Sequence, residues 1–443
     1  MKILDRNLRR FPGAAPLAGA ASASVAPMRR MAGVRDRSMN SLEKRLMGGH
    51  VALLLLAVAL TSVRTCAADN FSALPQVLQP FVDRGEIAGA VSLVATRDRV
   101  LHLSAVGESD LAPGRKLQPD DLFWIASMSK PVTAVGIALL VDEGKLAFDD
   151  PVEKYVPEFH ELWVLQEATP DRRVLVKASR PVTLRDLLTH TSGLGEYRVT
   201  DPHWTLAAIV RSLAREPLRF QPGARWAYST AGFDTLGRVI EVASGIPFAE
   251  FLQRRLFDPL DMHDTTFWIS PSQQPRLSRT YRPDPTTGRL TPVAIDYMYG
   301  GDVTDHERPP LGGAGLFSTA EDVARFYQMM LNRGSYHGRQ ILRPETVAEM
   351  THPQTGDLQA RPGMPWGLGF CVITDPSRME ANATLSPGTF GHGGAHGTNS
   401  WVDPASGIIY VFMIQRDKLK PNPDNSPMRR AYQDAVAAGL ARP

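Results

Sequence analysis

The sequence is poor in cysteine, with only Cys66 and Cys371 in 443 residues. Because Cys66 falls where a leader would be cleaved, the mature chain is predicted to hold one thiol and no intrachain disulfide. The sequence also lacks an H-E-x-x-H pattern and any cluster of cysteines and histidines, so neither a metal nor another cofactor is predicted. A G-x-S-x-G pattern is missing too, which argues against an α/β-hydrolase.

The chain lacks a net positive charge outside the N-terminal region. The formal net charge is +3, yet residues 1–68 hold eleven lysines and arginines against three acidic residues. The rest of the chain is therefore acidic overall, and no nucleic-acid partner is predicted. With 43% hydrophobic residues, the chain has enough apolar material for a large globular core.

The N-terminal region has the order of a targeting sequence. Residues 39–68 begin with basic residues, continue with an apolar stretch from Val51 to Leu60, and end in small residues at Ala68. This order is typical of a signal peptide. The apolar stretch is too short for a comfortable membrane span, so no stable span is expected after cleavage. The sequence thus predicts a leader over 1–68 and an exported protein, periplasmic or secreted.

The start site leaves alternatives open for this leader. If translation begins near Met39, the arginine-rich segment before it is not part of the protein. If it begins at Met1, that acid-poor segment is an extended leader or an organelle transit peptide. An uncleaved leader would instead keep the protein at a membrane.

Strand patterns stand at both ends of the remaining chain. The segment "GAVSLVATRDRVLHLSAVG" alternates apolar and polar residues around a turn at Arg97 and Asp98, which predicts a hairpin. The segment "TNSWVDPASGIIYVFMIQ" predicts a second hairpin that turns over Asp403–Gly407. Helical periodicities lie between them, for example "LAAIVRSLA", "TLGRVIEVASG" and "TAEDVARFYQMMLNRG".

These patterns predict an α/β (α+β) fold. An antiparallel sheet built from both termini would be flanked by helices and would carry a mostly helical insertion. We expect one main domain over 69–420, with the insertion at about 145–320. A loop and a short helix would follow over 421–443.

The stretch "WIASMSKPVTA" holds the first candidate for chemistry. Ser127 and Lys130 are three residues apart, so at the start of a helix they share one face, which Ser129 cannot do. Pro131 is tolerated in a first helical turn, and the apolar run that follows predicts a buried helix. Both burial and the positive helix end would lower the pKa of Lys130, which could then accept the serine proton.

By itself this S-x-x-K motif is weak. A pattern of this kind is expected about once by chance in such a chain, and a second match, "SLEK", lies in the leader. Judged alone, Ser127 would more often be a helix-capping serine.

Four further segments follow the motif in order: "TLRDLLTHTSGL", "WAYSTAGFDTLGRVIE", "GGAGLFSTAEDVARF" and "FGHGGAHG". Together with "SMSK" they make the chain, over roughly Phe71–Gln415, resemble the serine β-lactamase and penicillin-binding-protein superfamily. It is most similar to class C β-lactamases and the family VIII carboxylesterases.

The resemblance implies a catalytic group of three residues. Ser127 matches the nucleophile that becomes acylated, and Lys130 matches its partner. Tyr228 matches the tyrosine that exchanges protons with the nucleophile and the leaving group. His190, in "LTHTSGL", matches a recurrent structural position, and His396 matches no role and is expected to be a loop residue.

The resemblance also implies the surroundings of the substrate carbonyl. His392 stands where lactamases carry the lysine of Lys-Thr-Gly, and it could supply a hydrogen bond or partial positive charge. Gly394 lets the strand approach the substrate closely. The backbone N–H groups of Ala395 and Ser127 would form the oxyanion hole.

Two departures from the lactamase pattern bear on the substrate. Thr230 replaces the asparagine that binds the substrate's side-chain carboxamide, and His392 removes a fixed cation that would favour a carboxylate. Both changes favour a neutral small-molecule ester. The resemblance therefore implies a carboxylesterase acting on short-chain esters through an acyl-enzyme. The alternatives are a β-lactamase, a D-amino-acid-specific peptidase, or a penicillin-recognising sensor that acylates without turnover.

Overall fold

A seven-stranded antiparallel sheet forms the centre of the fold. The computed structural model describes residues 70–169, 171–196, 201–295, 302–358, 360–379, 383–419 and 426–441, so the predicted leader lies outside the described residues. The sheet has the strand order β12-β13-β14-β15-β1-β2-β3. Over the described residues the strands are β1 (Gly89–Ala95), β2 (Val100–Asp110), β3 (Arg115–Lys116), β4 (Phe123–Trp124), β5 (Trp163–Thr169), β6 (Arg172–Lys177), β7 (Tyr281–Pro283), β8 (Leu290–Pro292), β9 (Phe317–Ser318), β10 (Ser335–Tyr336), β11 (Arg339–Gln340), β12 (Cys371–Val372), β13 (Phe390–Gly393), β14 (Asn399–Asp403) and β15 (Ile408–Met413).

Helices cover both faces of this sheet. Over the same residues they are α1 (Leu74–Asp83), α2 (Ser129–Asp142), α3 (Leu184–Leu188), α4 (Leu206–Ala214), α5 (Thr230–Ser244), α6 (Phe248–Leu252), α7 (Ala320–Leu331), α8 (Pro344–Thr351) and α9 (Pro427–Leu440). None of the helices described is long and apolar enough to cross a membrane.

Both predicted hairpins are confirmed, and they meet at the middle of the sheet. Strand β1 pairs with β2 on one side and with β15 on the other, where Val91 lies opposite Met413. The turn between β14 and β15 closes with the Gly407 N–H donating to the Asp403 carbonyl at 2.9 Å. The sheet is therefore built from the two ends of the domain, as the sequence predicts.

Strand β1 is buried on both faces because helices pack on each side of it. Val91 and Leu93 face the large core that includes α2 and α7. Ala90 and Val94 face a second core with α1 and α9. The side chains alternate between faces, as strand geometry requires. A residue run that is apolar throughout is the sequence signature of such a central strand.

Two of these helices have an end that a specific residue marks. Gly245 ends α5 in the left-handed conformation, with φ of +77°, which glycine adopts without steric cost. Thr319 begins α7, since its side chain accepts a hydrogen bond from the N–H of Asp322.

The segment at 145–320 contains α3 to α6, and it also contains two small hairpins that the sequence analysis did not predict. In β5 and β6 most side chains are exposed or half-buried, and Val164 is the buried one. The apolar alternation that reveals a strand is therefore weak there. The pair β4–β9 joins this segment to the chain just before Ser127.

Candidate active site

Ser127 lies in a short 3₁₀ turn, Ala126–Met128, that leads directly into α2. Ala126 has a φ of +48°, a left-handed conformation that costs a residue with a Cβ about 1–2 kcal/mol. Strain of this kind persists only where surrounding contacts hold it. The helix N-cap, Met128, makes no side-chain capping bond, and the Ser127 hydroxyl instead contacts Lys130.

Ser129 supplies one of the contacts that hold this turn. Its hydroxyl donates to the Ala126 carbonyl at 2.7 Å and accepts from the Leu316 N–H at 3.1 Å. Both hydrogen bonds are buried. Ser129 is therefore a structural residue that braces the strained turn, which agrees with its exclusion on spacing.

Lys130 lies fully buried in the first turn of α2, with its amine held by three oxygen atoms. The Nζ atom is 3.2 Å from Ser127 Oγ, 2.7 Å from the Gly313 carbonyl oxygen and 3.5 Å from Thr230 Oγ1. The predicted contact between the side chains of Ser127 and Lys130 is confirmed. The amine also lies 4.6 Å from the centre of the Tyr228 ring.

The segment "GGAGLFS" forms the wall opposite the start of α2. The Trp124 indole N–H donates to the Ala314 carbonyl, and the Ile125 N–H donates to the Leu316 carbonyl. A Cβ on Gly313 would lie 2.5 Å from Thr230 Cγ2 and 2.7 Å from the Thr230 carbonyl oxygen. Only glycine therefore brings this backbone carbonyl within reach of the lysine amine.

The site depresses the basicity of Lys130. Burial lowers the pKa of its amine from the usual 10.5 to about 7, while the negative charges of Asp234 and Glu196 oppose the shift. Asp234 is fully buried, and its carboxylate accepts the Gly313 N–H at 2.9 Å. Near neutral pH a large fraction of the amine is therefore unprotonated, as a proton acceptor must be.

Thr230 and Asp234 come from the first turns of α5, four residues apart and so on the same helix face. Ser229 caps this helix through a hydrogen bond from the Gly232 N–H. The residue before this cap is Tyr228, so the start of α5 places Tyr228 and Thr230 together beside Lys130.

His392 lies on β13, buried behind the Tyr228 ring, with 6.3 Å between the two ring centres. Its Nδ1 atom is 2.7 Å from the Gly393 carbonyl oxygen, and a nitrogen so close to a carbonyl must carry a proton. In the neutral ring, Nε2 is then a hydrogen-bond acceptor. The structure thus places His392 near Tyr228, where the resemblance implies it.

The end of β13 is drawn close to the segment that carries Ser127. The Gly394 N–H donates to the Thr398 carbonyl, and the Thr398 hydroxyl donates to the Ile125 carbonyl. A Cβ on Gly394 would lie only 2.6 Å from that Ile125 oxygen. This close approach brings Ala395 and Ser127 to the wall of one cavity.

The cavity has a volume of about 650 Å³, within the range of small-molecule sites. Of the polar side chains described above, Ser127, Tyr228, Thr230 and His392 line it. Its apolar wall includes three tryptophans, and two ionisable side chains also line it. These further lining residues are Trp124, Trp226, Trp366, Leu311, Met364, Glu196 and Arg361.

Residues that the sequence analysis missed act on Lys130 from distant parts of the chain. Gly313 and Asp234 lie inside segments that carried the resemblance, but no role was attached to them. Glu196 lies outside those segments, and no sequence motif indicates a role for it. His396 is buried edge-on against Trp124, with 4.7 Å between the rings, so it is a packing residue behind the cavity and not simply a loop residue.

In the described part of the chain, one further group has the residue types of a metal site. Single ligand atoms of His203, Asp305 and Glu307 lie within 4.8 Å of one another. The ring of His203 pairs with Asp305 at 2.9 Å, and this hydrogen bond raises the pKa of the histidine. None of the three lines the cavity, and we assign them as a surface ion-pair group.

The lowered pKa of Lys130 predicts the pH dependence of activity. If the neutral amine accepts the proton, kcat/KM should rise with pH through a limb near pH 7 and then level off. Asp234→Asn keeps the acceptor for the Gly313 N–H but removes a charge that raises this pKa. Its acid limb should therefore move to lower pH. A pH–rate profile of both proteins checks this, and a limb that stays fixed in the variant would contradict it.

On this fold, a buried lysine beside a serine at the end of an apolar cavity defines a serine hydrolase. A family model described as Beta-lactamase matches residues 74–436. The chain therefore belongs to the beta-lactamase family, as its resemblance to that superfamily implies.

Known relatives agree with this assignment. Protein Rv1367c of Mycobacterium tuberculosis is 35% identical over 359 residues, which cover 75% of this chain and 87% of that protein. Esterase EstB of Burkholderia gladioli is 30% identical over 404 residues, covering 84% and 96%. The solved structure of EstCE1, described as a hydrolase with promiscuous acyltransferase activity, has a TM-score of 0.70 and 26% identity. The match covers 84% of this chain and 99% of that one.

Proposed function

We propose that the protein is an exported carboxylesterase in which Ser127 forms the acyl-enzyme. The observation that carries this proposal is the 3.2 Å contact between Ser127 Oγ and the buried amine of Lys130. A serine is a weak nucleophile unless a neighbouring base takes its proton. The order of the predicted leader supports export.

The contacts of Lys130 suggest how the neutral amine is oriented. A neutral amine has two N–H groups and one lone pair. The Gly313 carbonyl and the Thr230 hydroxyl are positioned to accept the two N–H groups, at 2.7 and 3.5 Å. The lone pair would then point at the Ser127 hydroxyl. In this proposal Thr230 acts on the substrate indirectly, through the lysine.

The proposed reaction has two steps. Ser127 Oγ attacks the ester carbonyl while Lys130 and Tyr228 together take its proton, and Tyr228 passes that same proton on to the departing alcohol, so that both residues return to their starting states. The N–H groups of Ser127 and Ala395 would stabilise the oxyanion. Water then attacks the acyl-enzyme in the same way, releases the acid and restores the free serine.

Two features of the cavity support a neutral ester as the substrate. His392 lacks the fixed positive charge of the lysine that lactamases carry there, so it attracts a substrate carboxylate less strongly. The tryptophans and Met364 provide an apolar surface for an acyl or alcohol group. The names of EstB and EstCE1, an esterase and a hydrolase, are consistent with this choice.

One observation favours the second candidate, a β-lactamase or D-amino-acid-specific peptidase. Arg361 lines the cavity, and a guanidinium is well suited to bind the carboxylate that both of those substrates carry. Ester and peptide substrates both fit this family, so the choice between them is an experimental one.

A panel of substrates tests the preference. We expect the purified protein to hydrolyse short-chain p-nitrophenyl esters with a kcat/KM at least about 10²-fold above that for a chromogenic cephalosporin or a D-alanyl-D-alanine peptide, since His392 replaces the lysine that lactamases carry beside the reacting carbonyl. Arg361→Gln should leave the ester rate within about threefold. Higher efficiency on the cephalosporin than on any ester would overturn the proposal. A stable acyl-Ser127 adduct without turnover would indicate the sensor instead.

A further inference from the structure

His190 is a buried histidine whose backbone has an unusual conformation. It lies just after α3 in the segment "LTHTSGL", only 1% exposed, with a φ of +62°. A residue with a Cβ pays for this left-handed conformation, so it persists only where other contacts hold it. Such strain is found most often near functional sites.

His190 binds the backbone on both sides of Tyr228. Its carbonyl oxygen accepts the Ala227 N–H at 2.9 Å. Its ring Nδ1 accepts the Ser229 N–H at 3.0 Å. One residue therefore holds the backbone on each side of the tyrosine, at the N–H of the residue before it and at the N–H of the residue after it.

The ring of His190 also packs on the ring of Tyr228. The two ring centres are 4.5 Å apart and the planes differ by 32°. Trp366 holds the histidine edge-on, at 4.8 Å and 73°, and Phe233 lies 5.3 Å away. The imidazole thus occupies a fixed place between the tyrosine and the apolar wall of the cavity.

His190 is neutral in this setting. Burial, and behind it the charges of Lys130 and His392, hold the pKa of its ring well below the usual value. Because Nδ1 accepts the Ser229 N–H, the ring proton must be on Nε2. A neutral ring can stack on the tyrosine without adding a second positive charge beside Lys130.

We propose that His190 is a positioning residue that fixes the Tyr228 hydroxyl for proton transfer, through the two backbone bonds and the ring contact together. The inference rests on the proposed role of Tyr228 and goes beyond a purely structural role for the histidine. His190 does not itself line the cavity and contacts its lining through Tyr228, Trp226 and Trp366, so any effect on the reaction must pass through these neighbours.

Two substitutions separate the ring contact of His190 with Tyr228 from its hydrogen bond with the Ser229 N–H. His190→Asn keeps an acceptor for the Ser229 N–H and tolerates the left-handed backbone, but it removes the stacked ring. His190→Phe keeps a ring and removes the acceptor. His190→Phe also provides a second test if His190→Asn does not fold. His102→Asn is the matched control, since His102 is another buried histidine, on β2 and away from the cavity lining.

The measurement is the rate at which a p-nitrophenyl phosphonate labels Ser127, followed by mass spectrometry. In this reaction the Oγ–phosphorus bond forms, p-nitrophenolate leaves, and the serine proton passes to the neighbouring base. We expect His190→Asn to slow labelling by about 10²-fold, the size of a small misplacement of a catalytic group. With an ester, kcat should fall similarly while KM changes less than about threefold.

The decisive arm repeats His190→Asn in a Tyr228→Phe protein. If the histidine acts through the tyrosine hydroxyl, adding His190→Asn to the Tyr228→Phe protein should slow labelling by less than about threefold. An equal loss in both backgrounds would overturn the proposal, as would a His190→Asn loss no larger than that of His102→Asn. Since labelling does not depend on which substrate is natural, failure of the esterase proposal alone would appear as normal labelling without ester turnover.

Discussion

Ser127→Ala is expected to lose at least about 10⁴-fold in kcat on any ester that the wild-type protein hydrolyses, since removal of a nucleophile leaves only binding and oxyanion stabilisation. The variant should fold normally, because the Ser127 hydroxyl is half-exposed at the cavity and contacts Lys130 rather than capping a helix. Steady-state kinetics and mass spectrometry of the trapped acyl-enzyme check this result.

Ser129→Ala is the matched comparison, because it removes the neighbouring serine hydroxyl instead. The loss should appear mainly in stability, by about 1–3 kcal/mol in the free energy of unfolding, since the buried Leu316 N–H loses its acceptor. The folded variant should keep at least about a tenth of the wild-type kcat, because strain at Ala126 is only partly released. If Ser129→Ala removed more activity than Ser127→Ala, the assignment of the nucleophile would be wrong.

The sequence predicted the Ser127–Lys130 contact because it is local. Ser127 lies in the 3₁₀ turn that leads into α2, and residues three apart in such a turn still share a face. The lowered pKa of Lys130 has the same local origin, since its place in an apolar helix buries the amine and burial lowers the pKa. Tyr228 and His392 could be placed beside this pair only through the resemblance, because no local rule brings together residues a hundred or more positions apart.

The residues that the sequence could not reveal act through tertiary contacts. Gly313 contributes a backbone carbonyl, which any residue possesses, and its value comes from a close approach that only the folded structure shows. His190 was identified as structural, but its backbone and ring contacts with the Tyr228 segment depend on how "LTHTSGL" and "WAYST" run side by side. Sequence patterns located β1, β2, β14 and β15 of the main sheet, whereas the short strands β3 and β12 and the exposed hairpin β5–β6 show only a weak pattern or none.

The largest further effects are expected at Lys130 and Tyr228. Lys130→Met, which roughly keeps the side-chain volume, and Tyr228→Phe should each lower kcat by about 10³-fold. The double variant should be no more than about tenfold worse than either one, because both groups handle the same proton of Ser127. Their proximity supports this coupling, with Lys130 Nζ 4.6 Å from the centre of the Tyr228 ring.

A pH profile of the single variants identifies which group sets the acid limb. If the Lys130 amine titrates near pH 7, Tyr228→Phe should keep the limb at reduced rate, whereas Lys130→Met should lose it. Losses that multiply in the double variant would show that the two residues act independently. A limb that survives in Lys130→Met and disappears in Tyr228→Phe would assign the titration to the tyrosine and make Lys130 a cation that supports its phenolate.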